Sequence, residues 1–341
     1  MKKKFLVLTA ILMAAAMVLV GCGGGEKAQT TEGKTAGAPE PVKFKIGHAT
    51  WVGYGPLYIA KEKGLFKKYN IDPELLIVED EAQYAAAVTS GELQGLCNVV
   101  DREVIHYAKG APINFVLAMD ESAGGDGIIA TEAIKSVADL KGKTVGLDKS
   151  TTSYFFFLAA LNKYGIGEKE VTIQEMSAGD AGAAFVAGKL DAAVTWEPWL
   201  SKAGERKGGH VLVSSKEFPK TIVDVITLRQ DFAEANPQAV TGLVKAWFEA
   251  IEFYNANPDE GNKIMAKALA LKEEELKDMA SGVKFFTKED NAKFFGDAAA
   301  PDSIWSLAGQ ASKFWQEKQI ITEKIDINKL VKDQYVKEAL K

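Results

Sequence analysis

From Val42 onward this chain alternates short extended runs with helix-length apolar stripes, and that alternation limits the fold more than any single motif does. Val42, Phe44 and Ile46, with lysines between them, read as a strand that stops at Gly47. Pro56 then opens a stripe of Leu57, Ile59 and Ala60 that closes at Gly64, with proline at the start and glycine just past the end of a short helix. Residues 73–78 read as strand, 82–89 as helix and 96–100 as strand, and the rhythm continues past 113–118. A second block, from 128 to about 225, carries strands at 144–147, 192–196 and 211–213 and helices at 154–164 and 183–190. Strand-helix-strand units of this kind build an α/β fold, here expected to be mainly parallel. From Asn236 the pattern turns helical. Asn236-Pro237 and Asn257-Pro258 mark two helix starts, and Val240, Leu243, Val244, Trp247, Phe248 and Ile251 follow at helical spacing. A further stripe, Ile304, Leu307, Ala311, Phe314 and Trp315, assigns its aromatics to a core rather than to a ligand cage.

Ahead of this core stand Lys2, Lys3 and Lys4, then an apolar run over 5–20 that ends in Gly21 and Cys22. Basic residues followed by a short apolar run form a secretory signal, and the run is too short to span a bilayer. A small residue directly before a cysteine at the end of that run resembles a bacterial lipobox. Residues 1–21 are therefore expected to be a signal peptide and Cys22 to be lipidated. Two or three acyl chains would hold the protein to the outer face of a cell membrane, where one chain alone is marginal. Residues 22–41 contain no aliphatic side chain larger than alanine and read as a flexible tether.

A formal net charge of −5, with no basic run beyond the leader, argues against nucleic acid as a partner. If Cys22 is lipidated, Cys97 has no partner and no internal disulfide forms. His48, His106 and His210 are far apart and match no metal-ligand spacing. No Ser-His-acid ordering supports hydrolysis, and no cofactor is implied. These absences favour a binding function over catalysis.

In open α/β sheets, binding groups emerge from loops at the carboxyl ends of strands. Those loops offer Trp51 and Tyr54, then Glu79, Asp80 and Glu81, then Asp101, then Glu121, Ser122 and Asp126. The second block offers the run from Ser150 and Thr151 to Tyr154, then Glu197 and Asp224. The hydroxyls at 150–153 crowd a helix start, where free N–H groups suit a carboxylate, sulfonate or nitrate oxygen, although one of them must cap the helix in either case. The carboxylates, set beside tryptophan and tyrosine, favour a cation instead. Arg102 could neutralise Asp101 or bind an anion. A ligand carrying both an amine and an acid, or an amino-substituted heterocycle, would satisfy both groups.

Three segments carry a family resemblance: Trp51-Val-Gly-Tyr54-Gly-Pro56 through Gly64-Leu-Phe66, Ser136 through Gly142-Lys-Thr-Val-Gly146, and Ala187-Gly188 through Trp196-Glu197-Pro198. In this order they resemble the solute-binding proteins of ATP-driven importers for nitrate, sulfonate, taurine and thiamine-precursor pyrimidines. The resemblance implies a periplasmic-binding-protein-like fold of type II, with two lobes and a ligand cleft between them that closes by a hinge. Lobe 1 would comprise 42–126 and 227–341, and lobe 2 would comprise 127–226. Glu197 gains weight as a cleft residue from its place in the Trp-Glu-Pro stretch. The implied partners are a small molecule, a permease and its ATPase, with the receptor a monomer. A sensor lipoprotein would need the same cleft. Enzymes related to this fold are a weaker alternative, because the iron-binding cysteine cluster of the eukaryotic pyrimidine synthases is missing.

Overall fold

The computed structural model describes residues 40–78 and 83–341. The expected signal peptide, Cys22 and nearly all of the tether lie outside the described residues, as do Glu79, Asp80 and Glu81.

The core strands are β1 (Val42–His48), β2 (Ile71–Ile77), β3 (Gly95–Val99), β4 (Ile113–Ser122), β5 (Asp126–Thr131), β6 (Thr144–Leu147), β7 (Thr172–Glu175), β8 (Ala192–Trp196), β9 (Gly209–Ser214), β10 (Val223–Arg229) and β11 (Val283–Phe285). They form two mixed sheets, one ordered β11-β4-β10-β3-β1-β2 and the other β7-β6-β8-β5-β9. The chain leaves the first sheet after β4, builds the second from β5 to β9, and returns with β10. That strand spans the expected junction at 226/227, and all of its pairing is with β3 and β4.

The expectation of mainly parallel strands is corrected. β1 runs parallel to β2 and β3, and β6 to β7 and β8. β10 is antiparallel to β3 and β4, β11 to β4, and β5 to β8 and β9. A parallel neighbour requires a crossover connection. β5 and β10 are the strands on which the chain enters the second sheet and re-enters the first, and each runs antiparallel to both of its neighbours.

Local boundaries shift for identifiable reasons. β2 starts before Pro73, which is tolerated because β2 is an edge strand. The helix expected at 183–190 spans Ala178–Val186, because the Ser177 hydroxyl accepts from the Asp180 N–H and caps it early, while left-handed Gly188 (φ 78°) follows its end. β4 is buried along its whole length and continues past Ala118 through Asp120, Glu121 and Ser122. Antiparallel neighbours on both sides supply backbone partners for that polar end.

The helical region closes over the first sheet. In the helix Pro237–Ala256, Val240, Leu243, Val244, Trp247 and Ile251 are buried, and the Trp247 indole donates to the Phe286 carbonyl at 3.2 Å. In Ile304–Glu317, Ile304, Leu307, Ala311 and Trp315 are buried. Each large side chain so buried contributes about 1.5–3 kcal/mol, so the two stripes anchor these helices far more strongly than helix propensity does. Among the described residues, no helix is long and apolar enough to cross a membrane.

Candidate ligand-binding site

Where the two sheets meet lies a cavity of ≈ 130 Å³. The first sheet contributes Thr50, Trp51 and Tyr54 from the segment after β1, Asn98 and Val99 from the end of β3, and Ile222 and Asp224 from the start of β10. The second contributes Asp126 at the head of β5, Thr151 and Thr152 at the start of the helix Thr152–Lys163, and Trp196 at the end of β8. The volume suits a compact organic molecule that displaces several waters.

The walls are acidic. Tyr54 donates its hydroxyl to Asp224 at 2.5 Å, and the Trp51 indole donates to Asp120 at 3.1 Å, so Asp120 sits directly behind the lining. Burial pushes the Asp120 carboxyl up to about 8; the Trp51 hydrogen bond opposes this, and the Asp126 and Glu121 carboxylates add to it. Burial likewise pushes Asp126 up to about 6, against a hydrogen bond from Ser122 and with help from Asp101 and Glu197. Burial and the Asp224 carboxylate hold the Tyr54 phenol well above its usual range, so it remains a donor.

A different network backs Asn98. Its side-chain amide donates to Glu103 at 3.0 Å, and the Thr227 hydroxyl and His106 Nδ1 reach the same carboxylate at 2.8 Å each. Burial raises Glu103, yet the charge and hydrogen bond of His106, with those of Thr227 and Asn98, outweigh it and hold the group below the ordinary carboxylate range. Cys97 is buried and free, and burial pushes its thiol up.

Of the residues singled out by sequence, Trp51, Tyr54, Asp126, Thr151, Thr152 and Asp224 line the cavity. The others among the described residues do not line it. Asp101 accepts from the Thr152 hydroxyl at 2.8 Å, and Arg102 donates to the Ser150 carbonyl, so both reach from the helix Val100–Ala108 across to the other sheet's loop. Ser150 donates through its N–H and hydroxyl to Asp148. Ser122 holds the turn between β4 and β5, sharing a 2.7 Å hydroxyl contact with Ser215 and accepting from the Asp126 N–H. Glu197 accepts from the Ser201 N–H and hydroxyl, capping the short helix Trp199–Lys202. Tyr154 turns away from the cavity, donating to Glu168 at 2.5 Å and packing against Phe314 and Trp315.

Sequence reasoning missed Thr50, Asn98, Val99, Trp196, Ile222 and, behind the wall, Asp120. Asp120 closes an unbroken apolar run, and a strand extended by two residues would have exposed it to notice. Gly53 offers a second signal: a Cβ there would lie 2.2 Å from the Asp120 carboxylate and 2.3 Å from the Trp51 indole nitrogen. Only a residue without a side chain lets Trp51 and Asp120 meet.

Two mixed α/β sheets with a polar cavity at their junction define a periplasmic binding protein fold. The periplasmic aliphatic sulphonate binding protein SsuA from Escherichia coli shares it, with a TM-score of 0.73 and 21% identity over 86% of this chain and 92% of its own. Residues 51–261 match the sequence profile of the NMT1/THI5-like family, and the chain belongs to that family. Among similar sequences, a binding protein of Brucella abortus (strain 2308) is 28% identical over 277 residues, covering 80% of this chain and 85% of its own length. The taurine-binding periplasmic protein of Escherichia coli (strain K12) is 28% identical over 182 residues, or 52% of this chain and 56% of its own.

Proposed function

We propose that this protein is the extracytoplasmic solute-binding component of an ATP-driven importer, held at the membrane through lipidated Cys22, and that it captures a compact amine-bearing or zwitterionic ligand for delivery to a permease. One observation carries the ligand class. Asp126 and Asp224 line the cavity beside Trp51 and Trp196, and no lysine, arginine or histidine is among the described lining residues. A protonated amine would meet both carboxylates and the aromatic faces. The relative that binds taurine has a ligand with both an ammonium and a sulfonate. In this chain the helix start at Thr151 and Thr152 would take the acidic end.

That same helix start favours a second reading, an inorganic or sulfonate anion without an amine. A thermal-shift screen of the purified protein against amines, betaines, taurine, alkanesulfonates, nitrate, aminopyrimidines and amino acids separates the two. Ligand at a hundred times its dissociation constant stabilises the folded state by about 2.7 kcal/mol. Amines or zwitterions should raise the midpoint, and Asp224→Asn should abolish the rise. Stabilisation by nitrate or alkanesulfonates alone would establish the anion reading instead. Intact mass of the membrane-extracted protein checks the lipid on Cys22.

A further inference from the structure

The chain crosses from the first sheet to the second at 122–126 and returns through the segment that begins at Ser215, and the two passages are tied together. Ser215 is buried, and its hydroxyl oxygen accepts from the Gly124 N–H at 2.8 Å and from the Asp126 N–H at 3.4 Å. Those two bonds occupy both lone pairs, so in the 2.7 Å contact Ser215 donates to Ser122. Ser122 also accepts from the Asp126 N–H, at 3.1 Å. From the other side the Gly282 carbonyl, just ahead of β11, accepts from the N–H groups of Ala123 at 2.8 Å and Gly125 at 3.0 Å. The Gly125 carbonyl in turn accepts from the Glu197 N–H at 2.9 Å, next to Trp196.

The same passage supports the wall that comes from the first sheet. A Cβ on Gly125 would lie 2.7 Å from Cη2 of Trp51, and one on Gly53 would lie 2.3 Å from its indole nitrogen, so the ring is seated between two glycines. Its nitrogen donates to Asp120 at 3.1 Å. Trp51, Asp126 and Trp196 line the cavity, whereas Ser122, Gly125 and Ser215 do not. Walls from both sheets thus hang on one hydrogen-bonded segment. We infer that the passage 122–126 is the template of the ligand site, with Ser215 and Gly125 as positioning residues: Ser215 holds the backbone of Asp126, Gly125 seats Trp51, and both govern affinity without touching the ligand. A wall fixed before the ligand arrives spares the cost of ordering it on binding. This rests on the cavity being the ligand site, as proposed above, and holds for an amine and an anion alike.

The test uses the purified protein labelled with fluorotryptophan, as parent, Gly125→Ala and Ser215→Ala, with the Trp51 fluorine signal assigned through Trp51→Phe. The methyl group of Gly125→Ala should push the ring aside and move the Trp51 signal of the free protein. Trp247, held in the helical cover by its bond to the Phe286 carbonyl, should keep its own. Calorimetric titration with taurine, ethanolamine and nitrate should show each variant binding the probe that the parent binds about tenfold more weakly, the equivalent of one good hydrogen bond. An unmoved Trp51 signal in Gly125→Ala, or parent affinity in either variant, overturns the template. A Trp247 signal that moves as far as that of Trp51 reports general damage and overturns it too. Should the variants fail to fold, amide exchange in the free parent decides. Gly124 and Asp126 amides protected as long as those of β4 support the preformed segment, and exchange at the rate of an open loop overturns it. No binding of any probe by the parent overturns the ligand reading above, while the fluorine and exchange results still decide the template.

Discussion

Glu103 and Asp120 lie on either side of β10, are equally inaccessible to water, and are displaced in opposite directions by their surroundings. Glu103 receives hydrogen bonds from Thr227 and Asn98 and lies against His106. Asp120 receives one from Trp51 and confronts Asp224, with Asp126 and Glu121 nearby. Burial by itself would neutralise both, so the supply of donors and the sign of neighbouring charge decide the outcome. Glu103 is a finished network that fixes Asn98 and the end of β3. The Asp120 region gathers carboxylates, and its open side is the cavity.

The largest expected effect follows from Asp120. A carboxyl raised from the unfolded range near 4 to about 8 contributes stability that is fully present below the unfolded value and is lost as pH rises through the folded one. Over that window the parent should lose on the order of 5 kcal/mol. Asp120→Asn should keep only the smaller slope from Asp126, which is raised in the same sense to about 6. Urea denaturation at acidic and alkaline pH measures both, and identical slopes in parent and variant would break the comparison.

Glu103→Ala should act with the opposite pH signature. It strands donors on Asn98, Thr227 and His106 in a buried setting, a loss of about 3 kcal/mol near neutral pH. Because the folded carboxyl lies below its ordinary range, that contribution is present above the unfolded value and fades as pH falls through the folded one. The difference between Glu103→Ala and parent should therefore shrink in acid. If it grows, Glu103 is not held as a carboxylate.

Tyr54→Phe removes the 2.5 Å donor to Asp224 and should cost about 1.5–3 kcal/mol in stability, with weaker ligand binding in the thermal-shift assay. Unchanged stability would mean that Asp224 finds another donor. The smallest effect belongs to the surface. Lys318 and Glu168 approach to 2.5 Å but remain partly exposed, so Lys318→Ala should change stability by less than about 1 kcal/mol. A larger loss would show that the aromatic contact of Tyr154 with Phe314 and Trp315 depends on that ion pair.

Much of this was legible without coordinates, and the misses share a cause. Trp51 and Tyr54 followed from a strand ending at Gly47 and a helix opened by Pro56, both of which are local signals. The buried faces of Pro237–Ala256 and Ile304–Glu317 followed from helical spacing. Glu197 and Tyr154 read equally well as site residues, yet Glu197 caps the short helix Trp199–Lys202 just past its proline and Tyr154 packs against a helix from the far end of the chain. Which way a loop side chain turns depends on what it meets, and sequence spacing does not encode that.

The sequence by itself determined the α/β alternation, the helical cover of the first sheet and the acidic, aromatic character of the loops, because periodicity, proline and glycine act over a few residues. The tertiary structure alone decided which acids share a wall. Asp120 faces Asp224 only because β10 returns from the second sheet and inserts antiparallel beside β4, and Glu103 gains its partners only because the same strand presents Thr227. Desolvation and charge coupling are set by distances between segments far apart in the chain, so the opposite fates of two buried carboxyls were fixed by strand register rather than by composition.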